Sequence, residues 1–97
     1  MAIVLKKLRR ASEHRTCIKC GADDKTIVRA HYCGPGQLRL GKGTGVKCHD
    51  FVSADLCSRC HPQFDQYENG NDYERAWEFL FLCMLTLERD FREGLLK

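Results

Sequence analysis

"LCSRCHPQFD", residues Leu56–Asp65, decides how this chain folds. Cys57 and Cys60 form a C-x2-C pair, the half of a metal site that one tight turn can present. The pair runs directly into His61 and Asp65, two further side chains able to bind a metal. One ion here would make a small metal-stabilised module. Two would leave one free for chemistry.

The matching half lies thirty-six residues upstream in "CIKC", Cys17–Cys20. Four thiolates, Cys17, Cys20, Cys57 and Cys60, are the ordinary closed ligand set of structural Zn²⁺, because soft sulfur suits that ion and a filled tetrahedral shell admits no substrate. Redox dithiols are the rival reading of two C-x2-C pairs. Cys33, Cys48 and Cys83 complete the seven cysteines. Cys83 reads as core, Cys33 and Cys48 as possible substitutes in the ligand set, and His14 and His49 as weaker competitors.

Ninety-seven residues suffice for one domain, 1–97, and a domain of this size often needs a metal, disulfides or a partner for stability. The odd cysteine count, the absence of a signal-like leader and the lack of any run of about 18 apolar residues place it in the reducing cytosol, with no membrane span. The +3 formal charge is unevenly spread. Residues 1–50 hold eleven Lys or Arg against four Asp or Glu, while residues 51–97 hold five against nine. The first half is therefore suited to a polyanion such as DNA, although basic faces are also commonly just solvated.

The local pattern divides the chain into a basic N-terminal arm (1–16), a zinc-bound core (17–68) and a C-terminal helix (71–94). The arm carries Arg9 and Arg10 and reads as a short helix or a partly ordered lead. "TIVRAHY", Thr26–Tyr32, predicts a strand with Ile27, Arg29 and His31 on one face and Val28, Ala30 and Tyr32 on the other. "GPGQLRLGKGTGVK", residues 34–47, has five glycines and predicts a long loop whose Arg39, Lys42 and Lys47 could follow a phosphate backbone. A second strand is expected over Asp50–Leu56, then a short helix from about Ser58–His61 to Tyr67, begun by Pro62. In the last segment Asn71 and Glu74 resemble a capping box, Gly94 supplies a stop, and Tyr73, Trp77, Leu80, Met84, Leu87 and Phe91 recur at spacings of four and three. That stripe reads as core. Phe79, Phe81, Leu82, Cys83 and Leu85 widen it almost all the way round, so the helix needs cover from several sides, from its own domain or from a homodimer partner.

The expected class is α+β: a knuckle, a β-hairpin, a second knuckle and a short helix pinned by zinc in a treble-clef arrangement, plus the long helix. His61 and Asp65, at i and i+4, can reach one cation. His31, on the strand that zinc would hold against this helix, has the unperturbed pKa of about 6.5 that suits a general base.

"RAHY", "DFVSADLCSRCH" and "CIKC" together resemble the zinc-bearing branch of the HNH, or His-Me finger, endonucleases, whose ββα-metal motif surrounds a structural zinc. The likeness is nearest to small HNH nucleases of lambdoid prophages, through Leu8–Ala11, Ala30-His31, Gly43–Asp50, and His61 with Asp65. It implies a phage or prophage-encoded, metal-dependent DNA endonuclease with His31 as general base, and His61 and Asp65 as ligands of a catalytic Mg²⁺ or Mn²⁺. The chain has Ala30 where many members carry an acidic residue and Val52 where many carry asparagine. Asp50 is then the candidate to contact the ion or to orient His31. The alternative is a non-catalytic zinc module that binds DNA or a recombination or replication partner.

Overall fold

The computed structural model describes residues 2–43, 46–64 and 73–96. It is a small α+β structure: helix α1 (Lys6–Ala11) running into a 3-10 turn at Ser12–His14, strand β1 (Val28–His31), strand β2 (Ser53–Leu56) and the long helix α2 (Tyr73–Arg92). The strands pair antiparallel, with Val28 opposite Leu56, Arg29 opposite Asp55, Ala30 opposite Ala54 and His31 opposite Ser53.

Both strands are shorter than their β-branched runs predict, because side chains at their ends serve other bonds. Thr26 accepts from the Ser58 N–H and is tied to the Asp24 carboxylate, which makes it part of a turn. Asp50 directs its carboxylate at the N-terminal segment, and the Val52 N–H closes a turn onto the His49 carbonyl. The glycine-rich connection also departs from a plain loop. It contains a 3-10 turn, Gln37–Leu40, bracketed by Gly36 (φ 83°) and Gly41 (φ 96°). No Cβ fits at Gly41, which lies against the His49 ring.

The expected short helix is a 3-10 turn, His61–Gln63, with Phe64 behind it. Its continuation through Asp65 and Tyr67, and the Asn71 cap, lie outside the described residues. At the far end α2 stops as a Schellman motif: Gly94 takes φ 74°, its N–H donates to the Phe91 carbonyl and the Leu95 N–H to that of Asp90.

The core joins Ile27, Ala30, Tyr32, Val52, Ala54, Leu56 and Phe64 to Phe79, Leu82 and Cys83 of α2. The Phe79 ring lies 5.4 Å from that of Tyr32 and 5.0 Å from that of Phe64. Of the expected apolar stripe only Leu80 packs against it, and Leu87 is half-buried. Tyr73, Trp77, Met84 and Phe91 are 64 to 70% exposed, and α2 instead buries Ala76, Phe79, Leu82, Cys83, Thr86 and Asp90. The reading of the stripe as core was misled by the polar residues on the truly buried face. Thr86 accepts from the Asp55 N–H, and Asp90 receives both Arg29 amino groups at 3.0 and 2.7 Å.

These contacts belong to a buried charge network. Asp55 accepts from Ser12, Arg15 and Arg89, Arg15 also pairs with Asp90 and Glu93, and Arg29 lies between Asp90 and Ser53. Arg29 therefore faces carboxylates inside the protein, not a surface that could meet phosphate. Removing one member strands an opposite charge in the interior, which typically costs about 3 to 5 kcal/mol. Asp90→Ala should lose stability in that range in urea unfolding, whereas Arg92→Ala, whose exposed side chain pairs with Glu88 on the helix surface, should change it by less than about 0.5 kcal/mol.

Candidate metal centre and catalytic site

The two C-x2-C turns meet at the Val28–Leu56 end of the hairpin. In the first, Gly21 adopts φ 78°, its N–H donates to the Cys17 carbonyl at 2.9 Å, and the Cys17 N–H donates to Ala22. In the second, the His61 N–H donates to the Cys57 carbonyl at 3.0 Å. The Ile18 N–H bonds the Asp55 carbonyl at 2.8 Å and so fixes the first turn to β2.

The sulfurs of Cys17, Cys20, Cys57 and Cys60 all lie within 4.8 Å of one another, and Cys20 and Cys57 are 3.6 Å apart. Tetrahedral zinc with bonds of about 2.3 Å needs sulfurs about 3.8 Å apart, so this donor set can hold a metal such as zinc. Backbone N–H groups of Cys60 and Arg59 lower the Cys57 thiol to about 6. Burial raises the Cys17 thiol, but N–H groups from Cys20, Cys57 and Lys19 outweigh it and lower the net value. These donors favour thiolates, the form that binds metal, at Cys17 and Cys57, whereas burial and the neighbouring sulfurs raise the Cys60 thiol in the absence of an ion. Cys33 donates instead to the Phe64 carbonyl, Cys48 to that of Gln37, and Cys83 is buried with its thiol raised to about 12 by desolvation.

At the other end of the hairpin His31 Nε2 lies 2.7 Å from Asp50 Oδ1. Asp50 is fully buried and is held by the Leu5 N–H at 2.6 Å and by the Arg9 guanidinium at 2.8 to 3.1 Å. Burial would raise its pKa, but hydrogen bonds from Arg9, His31 and Leu5 hold it down at about 2. Burial lowers the His31 pKa below 6.5, opposed by Asp50 and reinforced by Arg9 and Lys47. At neutral pH the pair is thus a carboxylate and a neutral imidazole protonated on Nε2. Nδ1 keeps its lone pair, and that atom is buried without a hydrogen-bond partner among the described residues. Such a dyad can accept a proton at one defined atom.

Arg9, expected as a DNA contact, is the clamp on Asp50. The arm is therefore part of the fold: Leu8 is fully buried, and the Ile3 N–H donates to His49 Nδ1. Arg10, Arg39 and Lys47 are exposed and Lys42 half-exposed, with no ion pair among the described residues. Lys6 and Lys7 of α1 are exposed as well.

His61 follows the second knuckle, half-buried, and Asp65 lies outside the described residues. Among the described residues the four cysteines are the one set of three or more metal-binding side chains that converge, so His31 and His61 share no such cluster. The Arg9 clamp had no sequence signal, since an arginine in a basic helix looks like any other. No protein family, curated protein or solved structure matches the chain.

Cys17→Ser and Cys60→Ser should unfold the chain, because structural zinc supplies on the order of 10 kcal/mol in small domains, as much as a domain has in total. Metal analysis of the wild type should give one zinc per chain. His31 should titrate below 6.5 by imidazole ¹⁵N NMR. Asp50→Asn removes the anion that favours imidazolium and should lower that pKa further, while Arg9→Gln removes a repelling cation and should raise it. Because the unfolded chain binds this proton more readily, the His31 contribution to stability is intact above about 6.5 and should be lost as pH falls from there through the lower folded-state pKa.

Proposed function

We propose that the chain is a metal-dependent DNA endonuclease of the HNH, or ββα-metal, kind, working in the cytosol, with the hairpin and its two knuckles forming a treble clef around zinc. The observation that carries this reading is the His31–Asp50 dyad at the end of a hairpin whose other end is tied by four cysteines. His31 Nδ1 takes a proton from water as the water oxygen bonds to phosphorus and the bond to the departing oxygen breaks. Asp50 keeps the ring in the Nε2–H tautomer and stabilises the imidazolium that forms. Arg9 keeps Asp50 ionised throughout.

A catalytic Mg²⁺ or Mn²⁺ would neutralise charge on the phosphate and on the leaving oxygen. His61 and Asp65 are the residues assigned to hold it. Lys6, Lys7 and Arg10 on α1, with Arg39, Lys42 and Lys47 on the connection, supply the cations for duplex phosphates. Lys47 lies close enough to lower the His31 pKa, which ties this basic surface to the dyad.

One observation favours a second reading, a zinc module that binds DNA or a recombination or replication partner without cutting. The His31 side chain is 8% exposed and its Nδ1 is covered, as suits a structural histidine.

Incubation with supercoiled plasmid and Mg²⁺ or Mn²⁺, with an EDTA control, separates the two. Nicking should fall by about 10² to 10⁴-fold in His31→Ala, the range for loss of positioned proton transfer, with zinc content unchanged. His61→Ala and Asp65→Ala should be partly rescued by more Mg²⁺ or Mn²⁺, and His31→Ala should not. Wild-type protein that binds DNA yet never nicks it, or a fully active His31→Ala, leaves the binding module. In either case log affinity should fall linearly with log salt, with a shallower slope after replacement of Lys6, Lys7 and Arg10 together.

A further inference from the structure

The apolar stripe of α2, most of which lies outside the core, is the strongest unexplained feature of the surface. Tyr73, Trp77, Leu80, Met84, Leu87 and Phe91 are spaced four, three, four, three, four, the 3.5-residue period of a helix–helix seam, and Phe81 flanks them. Five of these side chains are 46 to 70% exposed: Tyr73, Trp77, Phe81, Met84 and Phe91. Large side chains carry about 150 to 250 Å² each, so the five present on the order of 600 Å². That lies at or above the largest patch of an ordinary monomer and near the roughly 800 Å² that each partner of a stable complex contributes.

We propose that this face is the interface of an antiparallel homodimer, formed by α2 of one copy against α2 of a second. The pattern is symmetrical about Leu82. Turning a second helix end for end sets Tyr73 against Phe91, Trp77 against Leu87 and Leu80 against Met84, each seam position meeting one of the complementary kind, and brings Phe81 near its own counterpart on the two-fold axis. Knob and hole are both present on the one face, as a two-fold interface requires. Trp77 and Phe81 stack with ring centroids 5.5 Å apart, forming the raised element. A shallow, open groove lined by Met84, Leu87, Glu88, Phe91 and Arg92 lies where the partner's Trp77 would rest.

Charge selects the same direction. Glu74 is near the start of the helix and Arg92 at its end, both exposed. Antiparallel packing sets Glu74 of each copy beside Arg92 of the other and opposes the helix dipoles, whereas parallel packing would set like charges together. The proposal is independent of the nuclease reading.

Light scattering on the full zinc-loaded chain at about 100 µM should give twice the chain mass. Trp77 is the single tryptophan, so its emission should shift to shorter wavelength as the protein is concentrated. Trp77→Glu and Met84→Glu change exposed side chains, so zinc content and circular dichroism should persist while the dimer weakens at least about 30-fold, the loss of an interface hot spot. Glu74→Arg and Arg92→Glu should each weaken association, and the two together should restore it. A monomeric wild type at that concentration, or a dimer that survives both glutamate substitutions, overturns the proposal. A double charge swap that restores nothing overturns the antiparallel arrangement.

Discussion

Asp55 is the point on which the structure turns. Its side chain is fully buried and accepts from Ser12 and Arg15 after α1 and from Arg89 of α2, its N–H donates to Thr86, and its carbonyl fixes the first cysteine turn through Ile18. One residue thereby joins the N-terminal segment, the hairpin, a knuckle and the long helix. A buried carboxylate is costly unless its lone pairs are filled, and that cost makes the arrangement specific. A shift of α2 by one residue would turn Thr86 and Asp90 away, leaving the Asp55 N–H without its acceptor and Arg29 without its carboxylate.

The same economy of charge shapes the other end of the hairpin. Asp50 is filled by a backbone N–H, a guanidinium and an imidazole, so the N-terminal segment is held down by the group it helps to ionise. Four of the basic residues in the first half, Arg9, Arg15, Lys19 and Arg29, have acidic partners. The contrast between a basic first half and an acidic second half is therefore partly an internal matter, since Arg15, Lys19 and Arg29 meet acids of the second half.

The elements tied to local chemistry were legible in the sequence. Cysteine spacing located the four-sulfur cluster, β-branched and aromatic runs located both strands, and Gly94 located the end of α2. What was not legible depended on partners distant in sequence. Arg29 and His31 share a strand face, yet Arg29 meets Asp90, sixty-one residues away, while His31 meets Asp50, the residue that the resemblance alone offers to orient it. The period of α2 showed an apolar stripe without showing which side the sheet would take. Thr86 and Asp90 look like surface residues until Asp55 and Arg29 are placed beneath them.

The order in which the chain is made gives the buried network a further meaning. All four cysteines precede α2, so a growing chain has its complete sulfur set by residue 60, while the carboxylate for Arg29 arrives only with residue 90. Until then Asp55 lacks Thr86 and Arg89, Arg29 lacks its carboxylate, and the hairpin lacks the helix that covers it. The knuckles can thus be tied early and the interior sealed late.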